Sequence, residues 1–241
     1  MYIFIYLWVL NVGGLNIVGG LNIYIPLFKK WNIRILLHFF KSGIYMVKTF
    51  YVCSYGGCGS KMLCAALKQF GKVEHVHSRK PPDKLQYIGK NGGGKAYKEW
   101  FNGKNIPDDK LKDYIVIYIY RNPIFSIESR FINKNGVDHL VHIQADKNIK
   151  FKDVLDTGND LYKIREFYDN YTLPNAERNY KIYSVKYEDI FDRQDELSNV
   201  LGVGKLNLVN KSTRVSTNER LSEVYKELID IMKENEFIMF N

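Results

Sequence analysis

Tyr55-Gly56-Gly57-Cys58-Gly59-Ser60 is a glycine-rich turn between a short apolar run, Phe50-Tyr51-Val52-Cys53, and a helix-forming stretch, Lys61-Met62-Leu63-Cys64-Ala65-Ala66-Leu67. The apolar run reads as a buried strand. A strand, a glycine turn and a helix N-terminus together make an anion cradle. Glycines let the backbone approach a ligand, free N–H groups point at it, and the helix dipole favours negative charge. The sequence therefore predicts a nucleotide-phosphate loop built from Gly56, Gly57, Cys58, Gly59, Ser60, Lys61 and Met62.

Several chemistries are disfavoured by register. A kinase or ATPase loop reads G-x-x-x-x-G-K-[ST]. Here Ser60 stands where that lysine belongs, and Ser54 stands where the pattern requires its first glycine. The best strand ends in Arg121 rather than in a magnesium-holding aspartate. A cysteine phosphatase loop needs an arginine six residues after its cysteine, and Cys64 occupies that place after Cys58. The three cysteines, Cys53, Cys58 and Cys64, contain no CxxC pair and are odd in number, so neither a zinc site nor a disulfide framework is expected and a reducing compartment is. His75 with His77, and His139 with His142, have ligand spacing but no carboxylate or thiol company, so no metal site is expected.

The chain has 241 residues and a net charge of +9, which suits one α/β domain with an extension and predicts anionic partners. Compositional bias toward Lys, Asn, Ile and Tyr contributes to that basicity. Tyr and Phe are scattered rather than interleaved with basic residues, so stacking on nucleic-acid bases is not indicated.

Residues 1–45 stand apart. Met1–Phe28 carries no charge, yet asparagines, glycines and Pro26 make it a poor helix, and it contains a tandem repeat, Val12–Ile17 followed by Val18–Ile23. It reads as an apolar extension with Met46 as the natural start. The alternative is a membrane anchor, with Lys29, Lys30, Arg34 and Lys41 keeping the domain on the cytoplasmic side. The domain proper is 46–241.

Elements follow in alternation. Gly71–His77 is extended and runs into Ser78-Arg79-Lys80-Pro81-Pro82, where prolines forbid regular structure. Lys90–Lys95 reads as a surface loop, Tyr97–Phe101 as a helical turn, and Ile106–Leu111 as a helix start with proline near its beginning. Tyr114–Tyr120 is apolar on both faces, as in a central parallel strand; Asn122 then offers an N-cap with Pro123 following. Asp160–Asn170 is helical, Tyr180–Tyr187 a strand, and Glu196–Leu201 a helix stopped by Gly202. Ser216 and Glu219 form a capping box for a last helix whose stripe is Leu221, Val224, Leu228, Ile231 and Met232. This alternation predicts a three-layer α/β/α domain with a central parallel sheet.

Three features in order make the chain resemble the sulfotransferases that use 3′-phosphoadenosine 5′-phosphosulfate (PAPS). Their first loop runs Lys-Ser-Gly-Thr-Thr, against Gly57-Cys58-Gly59-Ser60-Lys61 here. Their second signature is a strand leading to Arg-Asn-Pro with a serine eight residues after the arginine, and Arg121-Asn122-Pro123 with Ser129 has that spacing. The third is Tyr187-Glu188-Asp189-Ile190, after a later strand. The resemblance covers about Val47–Phe237 and implies a P-loop NTPase-like fold, PAPS as co-substrate without a metal, and transfer of a sulfuryl group to a hydroxyl or amine on a carbohydrate, small molecule or protein.

It also implies roles. Arg121 and Ser129 hold the 3′-phosphate, which suits a bidentate guanidinium and a serine returned by seven residues of helix. The family's loop lysine aligns with Gly57; Lys61, or Arg79 or Lys80, replaces it. Lys211 and Arg214 are the nearest substitutes for the family's C-terminal Arg-Lys-Gly element. Related enzymes take a base from the segment after the first helix, where Glu74, His75 and His77 stand. His77, nearest the proline turn, is the expected base, with a structural histidine as the competing reading. An atypical P-loop kinase and a non-catalytic basic module binding nucleotide or nucleic acid are the alternatives; nucleic acid is not expected as a partner. The location expected is cytoplasmic, or membrane-anchored through residues 1–28.

Overall fold

The computed structural model describes residues 48–90, 98–99, 104–132, 136–210, 216 and 218–241. Residues 1–47, with the apolar stretch and its repeat, lie outside the described residues, as do Lys211 and Arg214. Among the described residues no helix is long and apolar enough to cross a membrane.

The domain is α/β. Its strands are β1 (Lys48–Cys53), β2 (Gly71–Val76), β3 (Gly89–Lys90), β4 (Lys98–Glu99), β5 (Tyr114–Tyr120), β6 (Ile182–Lys186) and β7 (Ile238–Phe240). They form one sheet in the order β3-β4-β2-β1-β5-β6-β7. Pairing is parallel from β4 through β6, and antiparallel at the two edges, β3 on β4 and β7 on β6.

Both faces of the sheet are covered. Phe50, Val52, Ile115, Ile117, Ile119 and Val185 pack with Leu63 and Leu67 of α1 (Ser60–Leu67) on one side. The same core takes Leu197 and Leu201 of the helix Gln194–Leu201. The alternate residues Tyr51, Cys53, Val116, Tyr118 and Tyr120 face the other side, against Phe167, Tyr171, Leu221 and Leu228. Burial of both faces is why these strands read as continuous apolar runs.

Several expected elements sit where the residues placed them. Asn122 caps α2 (Pro123–Ile127) by accepting the Ile124 N–H at 3.0 Å, and α2 passes into a π turn over Glu128–Ile132. The helices α3 (Val137–His142), α4 (Phe151–Thr157), α5 (Ile164–Thr172) and α6 (Gln194–Leu201) come next, and Gly202 ends α6 with φ of 59°. Others differ. The helix expected from Asp160 starts at Ile164, because the Asp160 carboxylate accepts the N–H groups of Ile164 and Arg165 and so stands before the first turn. The segment after Pro107 is a 3₁₀ helix, Asp108–Asp113. Lys98–Glu99, expected as part of a helical turn, is a short strand on Gly89–Lys90.

The last helix is two, α7 (Glu219–Val224) and α8 (Lys226–Glu234), meeting at Tyr225. Asn218, not Ser216, is the cap: its Oδ1 accepts the Leu221 N–H at 3.0 Å. Ser216 instead donates to Glu128 in the π turn. Asn218→Ala should therefore lower stability by about 1 kcal/mol in urea unfolding, the usual cost of losing an N-cap.

Candidate functional site

Because β2, β1 and β5 are parallel neighbours, the chain leaves all three at the same edge of the sheet. Ser54, His77 and Arg121 are the first residues past those strand ends. Ser54 is fully buried, and its N–H extends the ladder onto Val76 O at 3.1 Å.

The glycine loop runs from there to Gly59, the left-handed N-cap of α1. Its glycines answer to close approach as well as to conformation. Gly57 has φ of 76°, and a Cβ on it would stand 3.0 Å from the Ser126 backbone and 3.1 Å from Ser129 Cβ. Gly59 also has φ of 76°, and a Cβ there would stand 2.3 Å from the Tyr187 ring. A side chain at either place requires a strained backbone and a displaced neighbour.

Arg121 and Ser129 both flank Gly57. Arg121 Nη1 donates to Gly57 O at 3.4 Å, and its guanidinium lies near the rings of Phe125 (4.8 Å) and Tyr187 (4.5 Å). Such stacking fixes the plane of a guanidinium while leaving its edge for an anion. Glu188 Oε1 accepts the Asn122 N–H at 2.9 Å; burial pushes its carboxyl up, opposed by that bond and by Arg121.

On the other flank, hydroxyls connect the loop to the histidines. Ser54 Oγ donates to Ser60 Oγ at 2.9 Å, and Ser60 Oγ lies 2.8 Å from His75 Nε2. His77 Nδ1 lies 2.6 Å from Ser54 O. A carbonyl only accepts, so Nδ1 carries the proton and Nε2 is the basic nitrogen. His75 and His77 share a face as the extended segment requires, with ring centroids 4.3 Å apart. His77 is 1% exposed, whereas His75 is half-buried.

Two residues of this flank escape a reading of the sequence alone. His139, on α3, places its ring 5.8 Å from that of His77, and its Nε2 is buried with no hydrogen-bond partner among the described residues. Arg130 is half-buried, and its Nε is likewise buried without a partner among them. A Cβ on Gly56 would stand 2.7 Å from Arg130 Nε and 2.7 Å from His139 Cε1. Arg130 reaches the loop only because α2 passes into the π turn, which the sequence pattern does not announce. His139 had no local signal, being 62 residues beyond His77 in the chain.

The remaining expected residues fall as follows. Cys58 is buried, with Sγ 3.3 Å from Gly56 O and 3.4 Å from Ser126 Oγ; burial pushes its thiol up, so it stays protonated. All three cysteines are free thiols. Lys61 is exposed in the first turn of α1, where the Met62 N–H donates to Gly59 O at 2.9 Å. Arg79 ion-pairs with Glu166 at 3.3 Å and donates to Gln144 O at 3.2 Å. Among the described residues no group of three metal-ligating side chains occurs. No protein-family model, curated protein or solved structure matches the chain.

The histidines are held neutral. Desolvation, aided by the positive charge of Lys61 and then Arg130, lowers His75 to about 4. Desolvation followed by Arg130 lowers His139 to about 3, and desolvation with its two histidine neighbours holds His77 well below the usual range. An unfolded chain binds these protons near pH 6.5 and the folded one does not, so stability is full above that pH and falls as pH drops toward 4. Each histidine contributes up to about 1.4 kcal/mol per pH unit to that fall. Thermal unfolding between pH 7 and 4 should show the loss, and His139→Gln should flatten it. Gly59→Ala should cost more than about 1 kcal/mol, checked by the same melts.

Proposed function

We propose that the chain is a sulfotransferase that moves a sulfuryl group from PAPS to a hydroxyl or amine acceptor, on a P-loop NTPase-like domain. The observation that carries this reading is the approach of Arg121 and Ser129 to Gly57. Two residues at the spacing of the 3′-phosphate signature flank the glycine loop that precedes helix α1. A phosphate cradle with a second cationic clamp beside it suits a nucleotide carrying two separate anionic groups better than it suits a linear triphosphate.

Sulfuryl transfer is an in-line displacement with charge spread over the equatorial oxygens, so positioned cations and N–H groups carry most of the catalysis. On this reading His77 accepts the acceptor proton at Nε2, its tautomer fixed by Ser54 O. Its low basicity reflects burial first, then its histidine neighbours and the charge of Arg130. A docked anion counters the charge of Arg130 and so acts to raise the imidazole. His75, half-buried and bonded to Ser60, is the neighbouring base on the same face. Three free thiols favour a reducing, cytoplasmic setting.

Calorimetric titration of the full chain with adenosine 3′,5′-bisphosphate in EDTA, and with ATP plus magnesium, tests the reading. Metal-independent binding of the bisphosphate is expected, weakened at least about tenfold by Arg121→Lys, which keeps the charge and loses the bidentate plane. No bisphosphate binding, or ATP binding that demands magnesium, overturns it; the second outcome points to a kinase.

A further inference from the structure

We propose that Arg130 supplies the cation that faces the transferring sulfuryl group, taking the place left open by the glycine at position 57. The inference rests on the sulfotransferase reading and assigns a residue that the loop signature does not contain.

The glycine loop has two differently furnished halves. Toward Gly59 and Ser60 it presents the start of α1, and its middle, Gly57, is flanked by Arg121 and Ser129. Its beginning, Gly56, is flanked by Arg130 Nε and His139 Cε1, each 2.7 Å from where a Cβ would stand. The histidines lie on that same side, His75 next to His77 and His77 next to His139. A sulfuryl group in flight must sit between the phosphate cradle and the base, and Gly56 is the stretch of loop that adjoins both.

Arg130 has the charge and the spare donor for that place. Its Nε is buried and has no acceptor among the described residues, which is costly for a cationic donor unless a ligand completes it. His139 is 6% exposed, and its Nε2 is unpartnered among them too. The charge of Arg130 acts on Cys58 of the loop and on all three histidines. The other candidate cations stand differently: Arg79 is paired with Glu166, and Lys61 and Lys80 are exposed.

In the step itself the acceptor oxygen bonds to sulfur as the bond from sulfur to the 5′-phosphate oxygen breaks. The electron pair leaves on adenosine 3′,5′-bisphosphate, and the acceptor proton passes to a histidine nitrogen. Arg130 holds the equatorial sulfuryl oxygens throughout and transfers no proton.

The test compares two ligands that differ only in the sulfuryl group. In the full chain, without metal or acceptor, Arg130→Gln should weaken PAPS at least about tenfold while changing bisphosphate affinity less than about threefold. Arg130→Lys should recover part of the lost PAPS affinity. Equal weakening of both ligands, or no change in either, overturns the assignment while leaving the sulfotransferase reading intact. Failure of the wild-type chain to bind the bisphosphate overturns both together. If Arg130→Gln fails to fold, Arg130→Lys decides: PAPS affinity lowered selectively supports the role, and unaltered or equally lowered affinities refute it.

Discussion

The parallel ladder of β1 with β2 and β5 is the constraint on which everything else depends. Cys53 is the last residue of β1 and pairs with Val76 on one side and Tyr118 on the other. Three chains therefore emerge together at one edge, at the ladder spacing of about 4.8 Å. An antiparallel partner would send its residues to the far end of the sheet. The register is held by the two cores, since Phe50 and Val52 face one and Tyr51 and Cys53 the other. A slip of one residue would exchange the faces and move every residue of the site. The ladder also continues past the strands, through Ser54 N–H on Val76 O and Tyr187 N–H on Tyr120 O, so the first residues of each loop inherit the sheet's rigidity.

On that frame stand two arginines beside neutral histidines and a protonated thiol. Arginine keeps its charge in any folded setting, so Arg121 and Arg130 are cations, whereas the histidines beside the loop are neutral and Cys58 stays a thiol. Glu188, the carboxylate bonded beside Arg121, is pushed up by burial and occupied by the Asn122 N–H.

The sequence revealed what is local. A strand, glycine turn and helix come from apolar runs and from residues whose backbone freedom is unambiguous, and Asn122-Pro123 and Gly202 announce helix ends by the same short-range rules. The capping box expected at Ser216 gives way because its hydroxyl donates to Glu128, a partner 88 residues away, and Asn218 caps the helix instead. At the break in the last helix the Tyr225 hydroxyl bonds to Asp160, 65 residues earlier, which no periodicity in that helix reveals. The ion pair of Arg79 with Glu166 and the approach of His139 to His77 are likewise products of tertiary folding. Long-range pairing decides which of several chemically suitable side chains are already engaged, and residue types and spacing do not carry that information.

The π turn after α2 shows how the two halves of the site fit. An i→i+5 turn adds a residue to the helical repeat and re-aims the side chains beyond it. Here two consecutive residues, Ser129 and Arg130, meet two consecutive glycines, Gly57 and Gly56, in reverse order. Side chains at those two loop positions would collide with the ones arriving, at 3.1 Å from Ser129 Cβ and 2.7 Å from Arg130 Nε. A side chain in the middle of the loop would meet Ser126 and Ser129, and one at its start would meet Arg130 and His139. With glycine at 57 the loop can lie against the helix that leaves β5. The two glycines and the placement of Ser129 and Arg130 against them are one steric arrangement.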